Sequence, residues 1–233
     1  MVVNGAGYYE AVKKFGPRHV DVLTFLDNPE KFQFVLFTGG EDISPKLYNE
    51  VSPKGFCYGT NERRDNTELA VYKKAMQCGI KMVGICRGLQ FLTAMAGGRL
   101  IHHTPDHAGN DHLMYLQTSW HGKKQIIVNS LHHQMCLPAP GSYVIGWAPK
   151  EVSNDIYYGN YDEPIAWDGP DVEAMYLPSV NSFGVQWHPE FMNESSDAYR
   201  WFTSAVDLFL NDEEEFKEIF IGDEEKTTSV AEG

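Results

Sequence analysis

The order of short apolar runs and amphipathic segments predicts an α/β domain, with a mostly parallel central sheet and helices on both faces. Three runs read as buried strands: Val20 to Phe25, Phe32 to Phe37 and Met82 to Ile85. Each is short, rich in β-branched and aromatic residues, and bounded by turn formers. A helical signal separates the last two, and another follows the third at once.

The first helix carries Leu69, Tyr72 and Met76 at i, i+3 and i+7. Its acids (Glu62, Asp65, Glu68) crowd the start, its lysines (Lys73, Lys74) come later and Gly79 stops it, the charge order a helix dipole favours. The second runs from Arg87 to Ala96 and ends at Gly97-Gly98. From about His102 to Pro178, turn signals such as TPDHAGND, HGKK, LPAPGS and WDGPD separate strand-like runs, among them Gln125 to Val128 and Tyr143 to Gly146. Phe183 to Trp187 reads as a last buried strand and Ser195 to Leu210 as a closing helix. No repeat, low-complexity stretch or linker divides the chain, so one domain is expected over residues 1–210 with an acidic tail over 211–233.

Composition removes several function classes. With 42% hydrophobic and 13% aromatic residues in 233, the chain can bury a sizeable core. Its longest apolar runs, such as FQFVLF, fall far short of the roughly 20 residues that span a bilayer, so no membrane partner is expected. MVVNGAGYYEAVKK lacks the pattern of a secretion signal, and four cysteines are too few for a disulfide scaffold, so reduced thiols in the cytoplasm are expected. A net charge of −13 disfavours direct binding of nucleic acid. Residues Asn211 to Lys226 hold eight acids and two lysines; the stretch reads as a solvated helix end with a frayed terminus, or else as a docking segment for a basic partner.

The most informative segment is KMVGICRGLQFLTAMAGG. A buried strand ends at Ile85, Cys86 follows, and a helix begins at once with Gly84 and Gly88 two residues either side. This is the spacing of a nucleophile elbow, with cysteine in the serine position. A base is offered by VNSFGVQWHPEF, where His188 follows a strand-like run and Glu190 lies two residues on. A cysteine nucleophile needs a proton acceptor, and an imidazole benefits from a carboxylate that fixes its tautomer. In LFTGGEDISPKLY a strand runs into Thr38-Gly39-Gly40, whose backbone can approach a ligand closely. The backbone N–H groups of Gly40 and Arg87 are the expected oxyanion donors. The Arg87 guanidinium either meets a substrate carboxylate or faces outward.

Together TGGEDISPKLYNE, GICRGLQFL, VNSLHHQ and GVQWHPE resemble the class I glutamine amidotransferase superfamily, most of all its free-standing γ-glutamyl hydrolases related to γ-glutamyl-γ-aminobutyrate hydrolase. The resemblance extends from about Phe34 to Phe191. It implies a flavodoxin-like sheet and a Cys86-His188-Glu190 triad that attacks the amide of glutamine or a γ-glutamyl conjugate. A γ-glutamyl thioester forms, ammonia or an amine leaves, and water releases glutamate. By the same resemblance Gln90 touches the γ-glutamyl group, Gly39 belongs to the substrate loop, and Ser130 to Gln134 form the strand that holds the substrate's α-amino and α-carboxyl ends, chiefly through the backbones of Leu131 and His133. His133 stands where relatives often carry glycine, which bears on pocket shape.

Three other readings compete. An amidotransferase would pass ammonia to a separate synthetase, which this chain has no room to contain. A non-catalytic subunit would keep the fold for binding, against which the intact triad argues. A metal site would draw on His102, His103, His107 and His112 with Asp106 and Asp111, a ligand-rich loop whose spacing matches no zinc pattern. No metal or cofactor is expected. Cys57, Cys78 and Cys136 read as packing or surface thiols, and Trp120, Trp147, Trp167 and Trp201 as core or half-buried residues.

Overall fold

Alternate residues of the apolar runs face opposite sides of a sheet, and each side needs a cover. This computed structural model describes residues 2–3 and 22–222. Strands β1 (Val2–Val3), β2 (Phe34–Phe37), β3 (Lys81–Ile85), β5 (His112–Trp120), β6 (Lys123–Val128), β8 (Tyr143–Ala148), β9 (Asp171–Leu177) and β10 (Ser182–Val185) share one sheet. Its order is β1-β2-β3-β10-β9-β8-β5-β6. The β1-β2, β2-β3 and β3-β10 pairs are parallel, and the remaining four continue the sheet antiparallel. β4 (Arg99–Ile101) and β7 (Met135–Leu137) form a separate antiparallel ribbon. The expected flavodoxin-type α/β architecture is the one the chain adopts, its parallel pairing confined to the β1-β2-β3-β10 half of the sheet, with helices α1 (Val22–Asp27), α2 (Glu62–Cys78), α3 (Arg87–Met95), α4 (Asp197–Asn211) and α5 (Glu213–Phe220).

Alternation along the strands builds two cores. Leu36, Val83, Ile85, Phe183 and Val185 meet Trp201, Phe202 and Phe209 of α4 and Phe216 of α5. Val35, Phe37 and Met82 instead join Phe25 of α1, Val71 and Ala75 of α2, and Leu89 and Leu92 of α3. Helix ends follow the sequence signals. Asn61 caps α2 by accepting from the Arg64 N–H at 3.1 Å, and Gly79 closes it with φ 66°. The Ser196 side chain accepts from Tyr199 N at the start of α4.

Three elements differ from the sequence reading. The run expected as a strand over Val20 to Phe25 is helical from Val22; Val20 and Asp21 lie outside the described residues. Only one side of it is covered, at Val22, Phe25 and Leu26, while Leu23 is exposed. A short apolar run of this kind suits a one-sided helix as well as a strand. In α2 the buried face is Arg64, Asp65, Glu68, Val71 and Ala75, whereas Leu69 and Tyr72 are half-buried and Met76 is exposed. The acidic stretch after Leu210 is not simply solvated. Asp212 caps α5, and Phe216, Phe220 and Ile221 enter the core, where the Phe216 ring lies 5.4–5.6 Å from those of Tyr176, Phe183 and Phe209. Glu213 accepts the Tyr176 hydroxyl at 2.6 Å and pairs with Lys81 at 3.0 Å. Among the described residues no helix is long and apolar enough to cross a membrane.

The loop between the first 3-10 turn after β2 and α2 is braced by His102, which is fully buried. Its Nε2 lies 2.7 Å from Glu50 and its Nδ1 3.2 Å from Asp162. Asp162 in turn accepts from Ser52 Oγ and the Lys54 N–H. Burial pulls the imidazole down, but Cys57, Glu50 and Asp162 outweigh it and raise His102 to about 10. A raised value stabilises the protonated folded state, so this contribution is complete below about pH 6.5, shrinks above it and is gone beyond about pH 10. His102→Leu should cost about 3 kcal/mol in urea denaturation at pH 6, because it takes the shared cationic partner from two buried carboxylates, leaving Glu50 to Arg99 and Asp162 to Ser52 and Lys54. The gap to wild type should narrow as pH rises toward 10; a gap independent of pH would contradict the charged pairing.

Candidate active site

Parallel neighbours end at the same edge of a sheet. Phe37 pairs with Gly84 and Ile85 with Val185, so β2, β3 and β10 deliver Thr38-Gly39-Gly40, Cys86 and the segment to His188 to one rim. Cys86 adopts φ 51°, ψ −112°, a conformation L residues rarely hold, and its N–H donates to Val185 O at 2.7 Å. The flanking glycines are sterically required. A Cβ on Gly88 would stand 2.2 Å from the Phe37 carbonyl oxygen, and one on Gly84 would stand 2.5 Å from Leu89 N. Helix α3 starts at Arg87, so the Arg87 amide belongs to the first turn, whose N–H groups have no partner within the helix.

His188, Cys86 and Glu190 come together there, all nearly buried. His188 Nδ1 lies 2.7 Å from Glu190 Oε1, and the ring also hydrogen-bonds the Cys86 thiol. Burial lowers the imidazole's proton affinity; Cys86 and then Glu190 reverse this and raise it to about 10. Asn129 fixes the backbone of His188 from both sides, its Oδ1 accepting from the N–H at 2.8 Å and its Nδ2 donating to the carbonyl at 3.0 Å. Phe191 stacks on the ring at 5.3 Å.

A cavity of about 310 Å³ opens over Cys86, at the small end of the range for ligand sites. Of the expected substrate residues, Gly40, Gln90, Leu131 and His133 line it. Gly39 does not; its carbonyl accepts from Arg64 Nη2 at 2.9 Å. Ser130 is turned away, with its hydroxyl on the His107 carbonyl and its own carbonyl accepting the Gly109 N–H. His133 Nε2 meets both Asp42 oxygens at 3.1 Å while its ring stacks on Tyr58 at 4.5 Å. A wider, more open depression between α1 and α2, bordered by Val22, Leu26 and Ala70, offers neither nucleophile nor imidazole.

The Arg87 side chain neither meets the cavity nor faces solvent. It is fully buried, with Nη2 2.6 Å from Asp65 and Nη1 on Glu68. Glu68 also takes Arg64 Nε at 2.8 Å, and Arg64 reaches the Thr38 and Gly39 carbonyls at 2.9 Å and Glu41 at 2.7 Å. Gly40, at φ 139°, has no room for a Cβ because Arg64 Nη1 would lie 2.2 Å away. This ionic chain therefore joins the first turn of α3 to the loop opposite it. Its acids read in sequence as dipole partners at the start of a helix, and the spacing of Arg64, Asp65 and Glu68 on one face was the available signal.

The histidine-rich loop divides. His102 belongs to the brace described above, and His103 Nδ1 lies 3.2 Å from His133 Nδ1. Asp106 accepts from Asn154 at 2.7 Å. Only His107 and His112 converge, and they do so on His132 and Glu173. Cys78 is exposed and Cys57 half-buried, and burial pushes the Cys136 thiol up to about 12.

Fold and site together define a class I glutamine amidotransferase-like protein. The chain belongs to the peptidase C26 family, whose model matches residues 5–190. A glutamine amidotransferase-like protein of Rickettsia prowazekii is 45% identical over 226 residues, covering 72% of this chain and 73% of that one. One of Lactococcus lactis is 33% identical over 175 residues, covering 67% of this chain and 65% of its own length, slightly under two thirds. A GMP synthase component of Thermoplasma acidophilum shares the fold, with a TM-score of 0.59 at 13% identity over 93% of this chain and 96% of that one.

Removing Glu68 would leave two buried guanidinium groups short of a carboxylate. Glu68→Ala should cost about 3–5 kcal/mol, read as a lower urea midpoint at unchanged m-value. A loss below about 1 kcal/mol would mean the chain of charges does not hold these elements together.

Proposed function

We propose that the protein is a free-standing cysteine hydrolase of γ-glutamyl amides, acting on glutamine or a γ-glutamyl conjugate of an amine. The observation that carries this reading is the Cys86 sulfur at a strained elbow, bonded to an imidazole whose other nitrogen is held by Glu190. In the proposed reaction the Cys86 thiol passes its proton to His188 and its sulfur attacks the γ-carbonyl carbon. The resulting oxyanion is received by the Gly40 and Arg87 N–H groups. Collapse breaks the C–N bond as His188 gives its proton to the departing ammonia or amine, which leaves a γ-glutamyl thioester. His188 then accepts a proton from water, the hydroxyl adds to the thioester carbon, and the proton returns to sulfur as glutamate departs. Gln90 and the backbones of Leu131 and His133 are the proposed contacts to the glutamyl part, all at the cavity wall. Asp42, which lies in TGGEDISPKLYNE but received no role from the sequence, lines the same cavity and sets the His133 ring.

The purified chain alone should hydrolyse glutamine or a γ-glutamyl amine at about 1 s⁻¹ or faster, an ordinary enzymatic turnover. Cys86→Ala should abolish this, and quenched turnover should leave a γ-glutamyl adduct on Cys86 by mass spectrometry. Activity that appears only after a synthetase is added would replace the free-standing reading with a glutaminase subunit. Equal, near-zero turnover of wild type and Cys86→Ala under both conditions would favour a binding module.

The ring of His188 owes part of its raised value to Glu190. Glu190→Gln should lower kcat and move the alkaline limb of the rate profile to lower pH, because the imidazolium then loses its proton sooner. A limb that stays in place would remove Glu190 from the proton-transfer system.

A further inference from the structure

A second cluster lies behind the cavity wall. Its members come from three places: His107 from the loop leading into β5 with His112 as that strand's first residue, His132 from the strand-like segment between β6 and β7, and Glu173 from β9. All four side chains are buried, and Glu173 is at 0% exposure. The facing atoms, His107 Nδ1, His112 Nε2, His132 Nε2 and both Glu173 oxygens, make no well-formed hydrogen bond; the three nitrogens meet only Glu173 Oε1, at 3.2–3.5 Å. Leaving a carboxylate and three ring nitrogens so placed is costly unless something else satisfies them.

Each ring is also anchored on its opposite side. His112 Nδ1 lies 3.0 Å from the Leu113 carbonyl and His132 Nδ1 2.9 Å from the Gln134 carbonyl. A carbonyl only accepts, so each Nδ1 carries a proton. In the neutral ring, the form that binds a metal, each Nε2 then turns a lone pair inward. His107 has the reverse tautomer, its Nε2 3.5 Å from Asp171 Oδ2, which leaves Nδ1 facing the centre. Asp171 accepts the Tyr157 hydroxyl at 2.8 Å, and Ser153 lies 2.7 Å from that hydroxyl. Outer partners of this kind orient histidines for metal binding.

Spacing and charge agree. The inward nitrogens of His107, His112 and His132 stand 3.5, 3.2 and 3.4 Å from Glu173 Oε1, and all four ligand atoms lie within 4.8 Å of one another, so the histidines close in slightly on an ion. A tetrahedral ion with bonds of about 2.0–2.1 Å to nitrogen and oxygen has ligand-to-ligand edges of about 3.3 Å. A divalent ion among neutral imidazoles would be balanced by the carboxylates of Glu173 and Asp171. We infer that His107, His112, His132 and Glu173 form a closed, four-ligand site for a divalent transition ion, zinc above all. With four protein ligands and no exposed face, the site is structural. It ties the 107–112 loop and β9 to the segment carrying Leu131 and His133, and it stands independently of the proposed reaction.

The test uses the full chain without a polyhistidine tag. Zinc should remain at about one equivalent after dialysis. Apoprotein titrated with Co²⁺ should develop the visible absorption of a four-coordinate nitrogen and oxygen site, without a sulfur-to-cobalt charge-transfer band. Saturating Zn²⁺ should raise Tm of the apoprotein by about 5–10 °C. Stoichiometry should survive in Cys86→Ala and His121→Ala and be lost in His112→Ala and Glu173→Gln. Should those two variants fail to fold, the wild-type measurements decide. The inference is overturned if wild type retains no zinc and neither its spectrum nor its Tm responds to added Co²⁺ or Zn²⁺. It is equally overturned if bound metal disappears in Cys86→Ala while Glu173→Gln keeps it.

Discussion

The first turn of α3 lies so close to β2 and β3 that no side chain fits between them, and the rest of the site depends on that contact. Gly84 and Gly88 permit it, and Gly184 on β10 does the same work from the other side, since a Cβ there would stand 2.7 Å from the Gly84 carbonyl oxygen. With the helix this near, the chain must reverse at one residue, and Cys86 takes the left-handed φ that the reversal demands. The sulfur is thereby held at the sheet's rim, with the start of a helix on one flank and His188 on the other. Close packing fixes the position of the reactive atom more firmly than any contact the atom makes itself.

Buried charge supplies the second layer of order. Arg64, Asp65, Glu68 and Arg87 form a continuous set of ion pairs beneath the Gly39-Gly40 loop. Such groups contribute little net stability compared with an apolar core, but their directionality allows few alternative arrangements. Here they set the distance between two loops on neighbouring strands. The antiparallel half of the sheet contributes polar groups of its own, Asp171 and Glu173 on a fully buried strand facing three imidazoles.

Much of the site is legible in the sequence because its parts are local. Glycine spacing around Cys86 and the His-Pro-Glu run each encode a turn within five residues, and three parallel strands bring those turns to one edge. The run at Val22 resists such a reading because six residues cannot separate a covered strand from a one-faced helix. β9 is hidden for a different reason: its two acids interrupt the apolar pattern that marks a buried strand, and their imidazole partners are about 40 to 65 residues away in sequence. Separation in sequence, here about 20 residues, also hides the role of the Arg87 guanidinium, whose acids sit on α2. Short-range patterns announce backbone geometry, whereas pairings of buried charge are long-range facts.

The two closing helices carry a lesson about where the folded unit stops. The family match ends at residue 190, yet Phe209, Phe216 and Phe220 complete the aromatic layer over β3, β9 and β10. Cutting the molecule back to its recognisable motif would strip that roof and leave Tyr176 and Phe183 open to water, a greasy face inviting self-association. Acids along the outer side of α5 then act as its weatherproofing: they keep a helix whose inner face carries Phe216 and Phe220 from presenting anything sticky outside.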